Sequence, residues 1–154
     1  MKTMLIYHTN KSALREMCEA CANNDVDVLE LRPRYKKRPV LDDIADFYRA
    51  VTGRGVRLAP LDIDFAKYDQ IMMVDSLRAF SPSAECNEFL YRCDLGGRDV
   101  MCIVSNRLRY FGHAGHLLRK RIRLAGGTCR DITYIAEADL AKQPETANAF
   151  ALQK

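Results

Sequence analysis

Hydrophobic and polar positions along this chain switch repeatedly between a strand-like and a helix-like rhythm. Residues 3–7 form a short apolar run, residues 8–12 are polar, and then Ala13, Leu14, Met17, Cys18 and Cys21 recur at helical spacing. That order predicts strand, loop and helix. Residues 26–31 set Val26, Val28 and Leu29 among acids and end before Pro33, which predicts a second strand. Asp42 or Asp43 then caps a helix whose apolar positions are Ile44, Phe47, Tyr48 and Val51, stopped by Gly53 and Gly55.

After a linker at residues 56–69, Ile71, Met72, Met73 and Val74 are continuously apolar, as in a strand covered on both faces. Pro82 and Ser83 open a helix carrying Cys86, Phe89, Leu90 and Cys93, which residues 94–97 end. Residues 100–104 predict the next buried strand. A polar loop at 105–112 leads to a helix with Leu117, Leu118, Ile122 and Leu124, closed by Gly126 and Gly127. Residues 128–135 alternate as a last strand, and a helical tail follows from Glu137, with Pro144 placed to break it. Strand and helix thus alternate about five times. The expected fold is a three-layer, doubly wound α/β sandwich around a five-stranded parallel sheet with right-handed crossovers.

Length and composition narrow this picture without changing it. A chain of 154 residues with 48% hydrophobic content can bury one core, so a single domain over residues 1–154 is expected. Every apolar run is far below the ~20 residues a membrane span needs. The start of the chain runs straight into a strand without a small-residue cleavage site, so a cytoplasmic protein is expected. Cys18, Cys21, Cys86 and Cys93 fall on predicted helices and Cys102 and Cys129 in strands, the pattern of reduced thiols acting as small hydrophobes. Cys18 and Cys21 form a C-x-x-C placed too far into its helix for a redox pair, and no second pair at ligand spacing suggests zinc.

The net charge of +4 is unevenly spread. No acid stands between Asp99 and Asp131, where Arg107, Arg109, Arg119, Lys120, Arg121, Arg123 and Arg130 lie. A second cluster holds Arg32, Arg34, Lys36, Lys37 and Arg38. Such clusters attract phosphates, nucleic acid or acidic proteins, but a solvated helix face and a solvated loop explain them without direct nucleic-acid binding.

In doubly wound sheets the ligand lies beyond the carboxyl ends of the strands, where strand order reverses. Topology therefore selects three loops. The first, His8-Thr9-Asn10-Lys11-Ser12, joins hydroxyls and an amide to a helix start, a plausible phosphate cradle. The second, residues 75–82, offers Arg78 and Phe80; the third, residues 105–112, offers Tyr110, Phe111 and exposed backbone.

With these loops in view, the chain resembles the flavodoxins and flavodoxin-like proteins over nearly its whole length. The likeness rests on residues 60–71, on Ser81-Pro82 with the following helix and residues 94–100, and on Leu5-Ile6-Tyr7 before Thr9 and Ser12. It implies strand order 2-1-3-4-5 and FMN as cofactor. By resemblance, Thr9, Asn10, Lys11, Ser12 and Ala13 would hold the phosphate. Ser76, Leu77, Arg78, Ala79 and Phe80 would flank the ring on one side, and Ser105, Asn106, Arg107 and Tyr110 on the other.

Departures fall within those same loops. The first is one residue shorter than the family's Ser-x-Thr-Gly-Asn-Thr, with Asn10 at the glycine and Lys11 at the asparagine. In the second, Asp75 replaces a glycine, Leu77 a proline, Arg78 falls near the usual tryptophan and Phe80 takes a second glycine. Phe80 or Tyr110 could supply the missing stack, or Asp75 and the bulkier side chains could fill the pocket.

Three functions follow from these readings. One is an FMN protein exchanging electrons with a redox partner protein or a small-molecule acceptor, without a catalytic acid, base or nucleophile. Another is the same fold without its cofactor, acting as a binding or regulatory module through the basic surface from Arg107 to Arg123. Last comes a hydrolase or metal site from His8, His113 and His116, which lacks a neighbouring carboxylate in sequence.

Overall fold

The computed structural model describes residues 1–140. Five strands, β1 (Thr3–His8), β2 (Val26–Glu30), β3 (Gln70–Ser76), β4 (Asp99–Asn106) and β5 (Thr128–Ala136), form one sheet in the order β2-β1-β3-β4-β5. Every pairing is parallel. Between the strands run α1 (Ser12–Ala20), α2 (Leu41–Thr52), α3 (Ala84–Arg92) and α4 (Ala114–Leu124), and α5 (Glu137–Leu140) follows β5. The expected tail around Pro144 lies outside the described residues.

Two apolar clusters explain why the central strands read as unbroken apolar runs. Met4, Ile6, Ile71, Met73, Val100 and Cys102 pack against Phe89 of α3 and Leu118 and Ile122 of α4. Leu5, Tyr7, Met72, Val74 and Ile103 pack against Leu14 and Cys18 of α1 and Leu140 of α5. Alternate residues of the central strands therefore feed opposite cores, which leaves no position for a polar side chain over residues 4–7, 71–74 and 100–104.

At the carboxyl ends the strands outrun the predicted limits. His8 pairs with Asp75, Ser76 with Ser105, and Asn106 with Ala136, so residues expected in loops sit on the last rungs of the ladder. Backbone pairing continues there because the neighbouring strand is equally long, whatever the side chains. Two cysteines also move off their expected helices. Cys21 follows α1 in a final tight turn to Cys18, and Cys93 follows α3 with extended backbone. All six cysteines are free thiols, and burial pushes Cys18 up to about 12, which leaves the C-x-x-C without a nucleophile at neutral pH.

Helix α2 forms where expected but is turned inside out. Asp42, Asp46 and Ala50 are buried, whereas Ile44, Phe47, Tyr48 and Val51 face solvent. Ionic contacts hold it down. The Asp42 carboxylate accepts from the Arg38 backbone N–H, and Asp46 pairs with Lys37 at 2.6 Å and Arg49 at 3.2 Å.

Candidate functional site

The reversal of strand order lies between β1 and β3, and the loops after β1, β3 and β4 meet at that rim. A chain of buried hydroxyls ties them. Thr9 Oγ1 lies 2.7 Å from Ser76 Oγ, which lies 2.9 Å from Ser105 Oγ. Three residues up to 96 positions apart thus share one hydrogen-bonded line across the ends of β1, β3 and β4.

In the first loop Thr9 is buried and turned inward, and its Oγ1 also accepts from the Lys11 backbone N–H at 3.0 Å. Its hydroxyl shapes the loop. Asn10, Lys11, Ser12 and Ala13 are exposed, and α1 begins with no side chain capping its free N–H groups. Those N–H groups point to solvent at the positive end of the helix, with the Lys11 ammonium 3.2 Å from Glu137 beside them. An anion at this end of the crevice would meet the free N–H groups and would compete with Glu137 for the ammonium.

The second loop is bent by a two-residue turn. Arg78 and Ser81 exchange backbone hydrogen bonds at 2.8 and 2.9 Å, and between them Ala79 and Phe80 have φ of 47° and 60°. Both lie in the left-handed region that glycine and asparagine usually fill, so the turn stores strain of about 1–3 kcal/mol per residue. Asp75 supplies the staple that holds it. Its buried carboxylate accepts from Ser83 N–H at 2.8 Å and from Ser83 Oγ at 2.6 Å, while Ser83 caps α3 through Cys86 N–H. Burial raises the Asp75 pKa to about 6, against the opposing pull of His8 and Ser83. Leu77 is buried, and Arg78 is drawn outward to Asp43 at 2.8 Å.

Ser105 and Asn106 end β4 buried, and Asn106 donates to the Tyr110 carbonyl while accepting from Arg107 N–H at 2.9 Å. Arg107 is exposed. Phe80 and Tyr110 meet edge to face with ring centroids 5.3 Å apart. The two aromatic rings expected on opposite sides of a flat ligand therefore touch one another.

On the α2 and α3 side of the same rim lies an ionic cluster, whose His8, Lys37, Asp46 and Glu85 line one small cavity with Ser76, Arg78 and Ser83. His8 Nε2 is 3.3 Å from Glu85, whose second oxygen takes the Lys37 ammonium at 2.6 Å; Lys37 also holds Asp46. Burial alone would depress Lys37, but its bonds to Asp46 and Glu85 outweigh that and raise it above its usual value. The cluster borders a cavity of about 420 Å³, whose walls include Arg15, Glu30, Arg32 and Tyr35. Neither Glu85 nor Lys37 was a sequence candidate. A signal existed for Glu85: with Cys86, Phe89 and Leu90 it falls on the inward face of α3. For Lys37 there was none, because its partners lie on other elements.

Among the described residues no group of three or more His, Cys, Asp or Glu is placed to hold a metal ion. His8 lies against Glu85, whereas His113 and His116 are exposed on the start of α4. Nor, among those residues, is any helix long and apolar enough to cross a membrane.

Several solved structures share this fold. A flavoprotein from Lactobacillus acidophilus, crystallised in complex with FMN, is 12% identical with a TM-score of 0.71, covering 92% of this chain and 97% of its own. The fold is flavodoxin-like. An NADPH-quinone reductase from P. pentosaceus has a TM-score of 0.61 at 11% identity, covering 97% of this chain and 92% of its own. General stress protein 14 from Treponema denticola, in complex with FMN, has a TM-score of 0.55 at 14% identity, covering 98% and 96%. At these identities the likeness is one of fold. No protein-family model matches the chain, and no curated protein sequence does. In this fold the strand order reverses at the rim of β1, β3 and β4 described above.

Proposed function

We propose that this flavodoxin-like protein binds FMN at the rim of β1, β3 and β4 and exchanges electrons with a redox partner protein or a small-molecule acceptor. The observation that carries the reading is the Thr9, Ser76 and Ser105 hydroxyl line, which holds the three loops together beside an uncapped α1. Asn10, Lys11, Ser12 and Ala13 fit the phosphate through backbone N–H groups and one ammonium. Thr9 acts behind them by holding the Lys11 N–H. For the ring, Ser76, Leu77, Arg78, Ala79 and Phe80 form one wall, and Ser105, Asn106, Arg107 and Tyr110 the other. Tyr110, exposed on its loop, swings away from Phe80 to admit it. When bound, the isoalloxazine supplies the electron chemistry, and the chain supplies orientation and an environment that tunes it.

The test is titration of FMN fluorescence with the purified protein, with riboflavin as the ligand lacking phosphate. Saturable quenching by micromolar protein is expected, tighter for FMN than for riboflavin. Lys11→Glu should weaken FMN about tenfold, or ~1.4 kcal/mol, and leave riboflavin unchanged. No quenching at saturating protein would remove the reading.

A second reading draws on the Phe80–Tyr110 contact and on the location of the larger cavity on the β2 side of β1. Here the fold serves without FMN as a binding module, through the basic surface of Arg107, Arg109, Arg119, Lys120 and Arg123. Absence of flavin binding together with a steep salt dependence of association with an acidic protein would favour it.

A further inference from the structure

The outward face of α2 carries an apolar stripe with no counterpart on the other long helices. Val40, Leu41, Ile44, Phe47, Tyr48 and Val51 are 55–70% exposed. Positions 40, 44, 47 and 51 step by four, three and four, the spacing of a seam made to pack against a second helix. Beside the end of α2, Tyr91 is 88% and Leu124 77% exposed, and both line an open cavity of about 370 Å³ with Gly53, Arg54 and Gly55.

At about 150–200 Å² per fully exposed side chain of this size, the stripe presents roughly 600 Å², and Tyr91 and Leu124 bring it to roughly 900 Å². A monomer's largest apolar patch is about 300–600 Å², whereas each partner in a stable interface contributes about 800 Å². The geometry points to a second copy of this chain as the occupant, packed α2 against α2 in antiparallel fashion about a two-fold axis near Phe47. That symmetry sets Val40 and Leu41 of one protomer opposite Thr52 and Gly53 of its partner, over the apolar cavity that follows. Projecting side chains at one end of the helix thus meet a hollow at the other, the self-complementarity a two-fold interface requires. A lipid surface is the poorer occupant, because α2 bears Asp43 beside the stripe and its one cation, Arg49, is turned to Asp46, unlike the lysine- and arginine-rich polar face of an interfacial helix.

Sedimentation of the full-length chain across micromolar concentrations tests this. Two 17.6-kDa chains moving together are expected, with dissociation on dilution. The double variant Ile44→Asp/Phe47→Asp should weaken association at least 100-fold while circular dichroism stays as in the parent, and it should melt like the parent diluted to monomer, since both side chains are more than half exposed. Tyr48→Cys, close to the axis, should form a disulfide-linked dimer on mild oxidation that the parent does not. A chain that stays monomeric at high micromolar concentration would overturn the inference. In that case, cross-links from residues 141–154 to α2 would name the tail as occupant, and co-sedimentation with vesicles containing phosphatidylglycerol would name a membrane. A dimer unmoved by the double variant would equally overturn it.

Discussion

The carboxyl end of β1 has two flanks built from opposite materials. Toward α2 and α3, four ionisable side chains, His8, Glu85, Lys37 and Asp46, meet in contacts of 2.6 to 3.3 Å. Across the ends of β3 and β4, three neutral hydroxyls from Thr9, Ser76 and Ser105 do the joining. Buried charges tolerate little change, because removing one strands another in a poorly solvating interior. Hydroxyls can donate or accept as required, so the hydroxyl flank can adjust around an incoming ligand at lower cost. Rigidity thus belongs to the ionic flank and adaptability to the hydroxyl flank, and the proposed cofactor enters between them.

Lys37→Met is the strongest way to break that contrast. It leaves Glu85 and Asp46 buried without their shared cation, and denaturant unfolding should show a loss of about 3–5 kcal/mol. Asp75→Asn comes next and is read through pH. A carboxyl raised from 3.8 to about 6 holds its proton more tightly folded than unfolded, so its contribution is fully present below about pH 4. It falls as pH rises to about 6 and is flat above. Melting temperatures of the parent should show that decline, worth up to about 3 kcal/mol, and those of the asparagine variant should lack it. Equal slopes would mean that folding leaves the Asp75 pKa unshifted.

Ser76→Ala should cost about 1–2 kcal/mol, since it leaves the fully buried Ser105 hydroxyl without its Ser76 partner. A loss as large as that of Lys37→Met would erase the distinction between the flanks. Smallest in effect, Tyr110→Ala removes an aromatic pair worth about 0.5–1.5 kcal/mol that FMN must part, so FMN affinity should rise by roughly two- to tenfold. A fall would make Tyr110 a ring contact whose stacking exceeds its pairing with Phe80.

Most of the architecture was legible in residue order. The unbroken apolar runs at 71–74 and 100–104 announced strands buried on both faces, and the loops they lead into converge at one rim. The site was legible in outline and not in detail. Thr9 was a phosphate candidate by residue type, yet its hydroxyl turns inward to Ser76, 67 positions away. Phe80 and Tyr110, expected to flank a flat ligand, meet edge to face beside a left-handed turn at Ala79 and Phe80, a contact that residue order did not foretell. Helix α2 carried an apolar stripe that reads like any core-facing helix. Lys37 and Arg38, placed by the preceding loop beside Asp46 and Asp42, show that its acidic face is the inner one.

Residue order by itself determined the five strands, the four long helices, and the edge at which their loops gather. Those properties depend on periods of two and 3.6, which neighbouring residues impose through local backbone bonding and burial. Tertiary structure decided which hydroxyls join, which charges pair, and which side of α2 meets water. Each of those outcomes is a contact between crossovers distant along the chain, and its energy exists only once the sheet has brought them within a few ångströms.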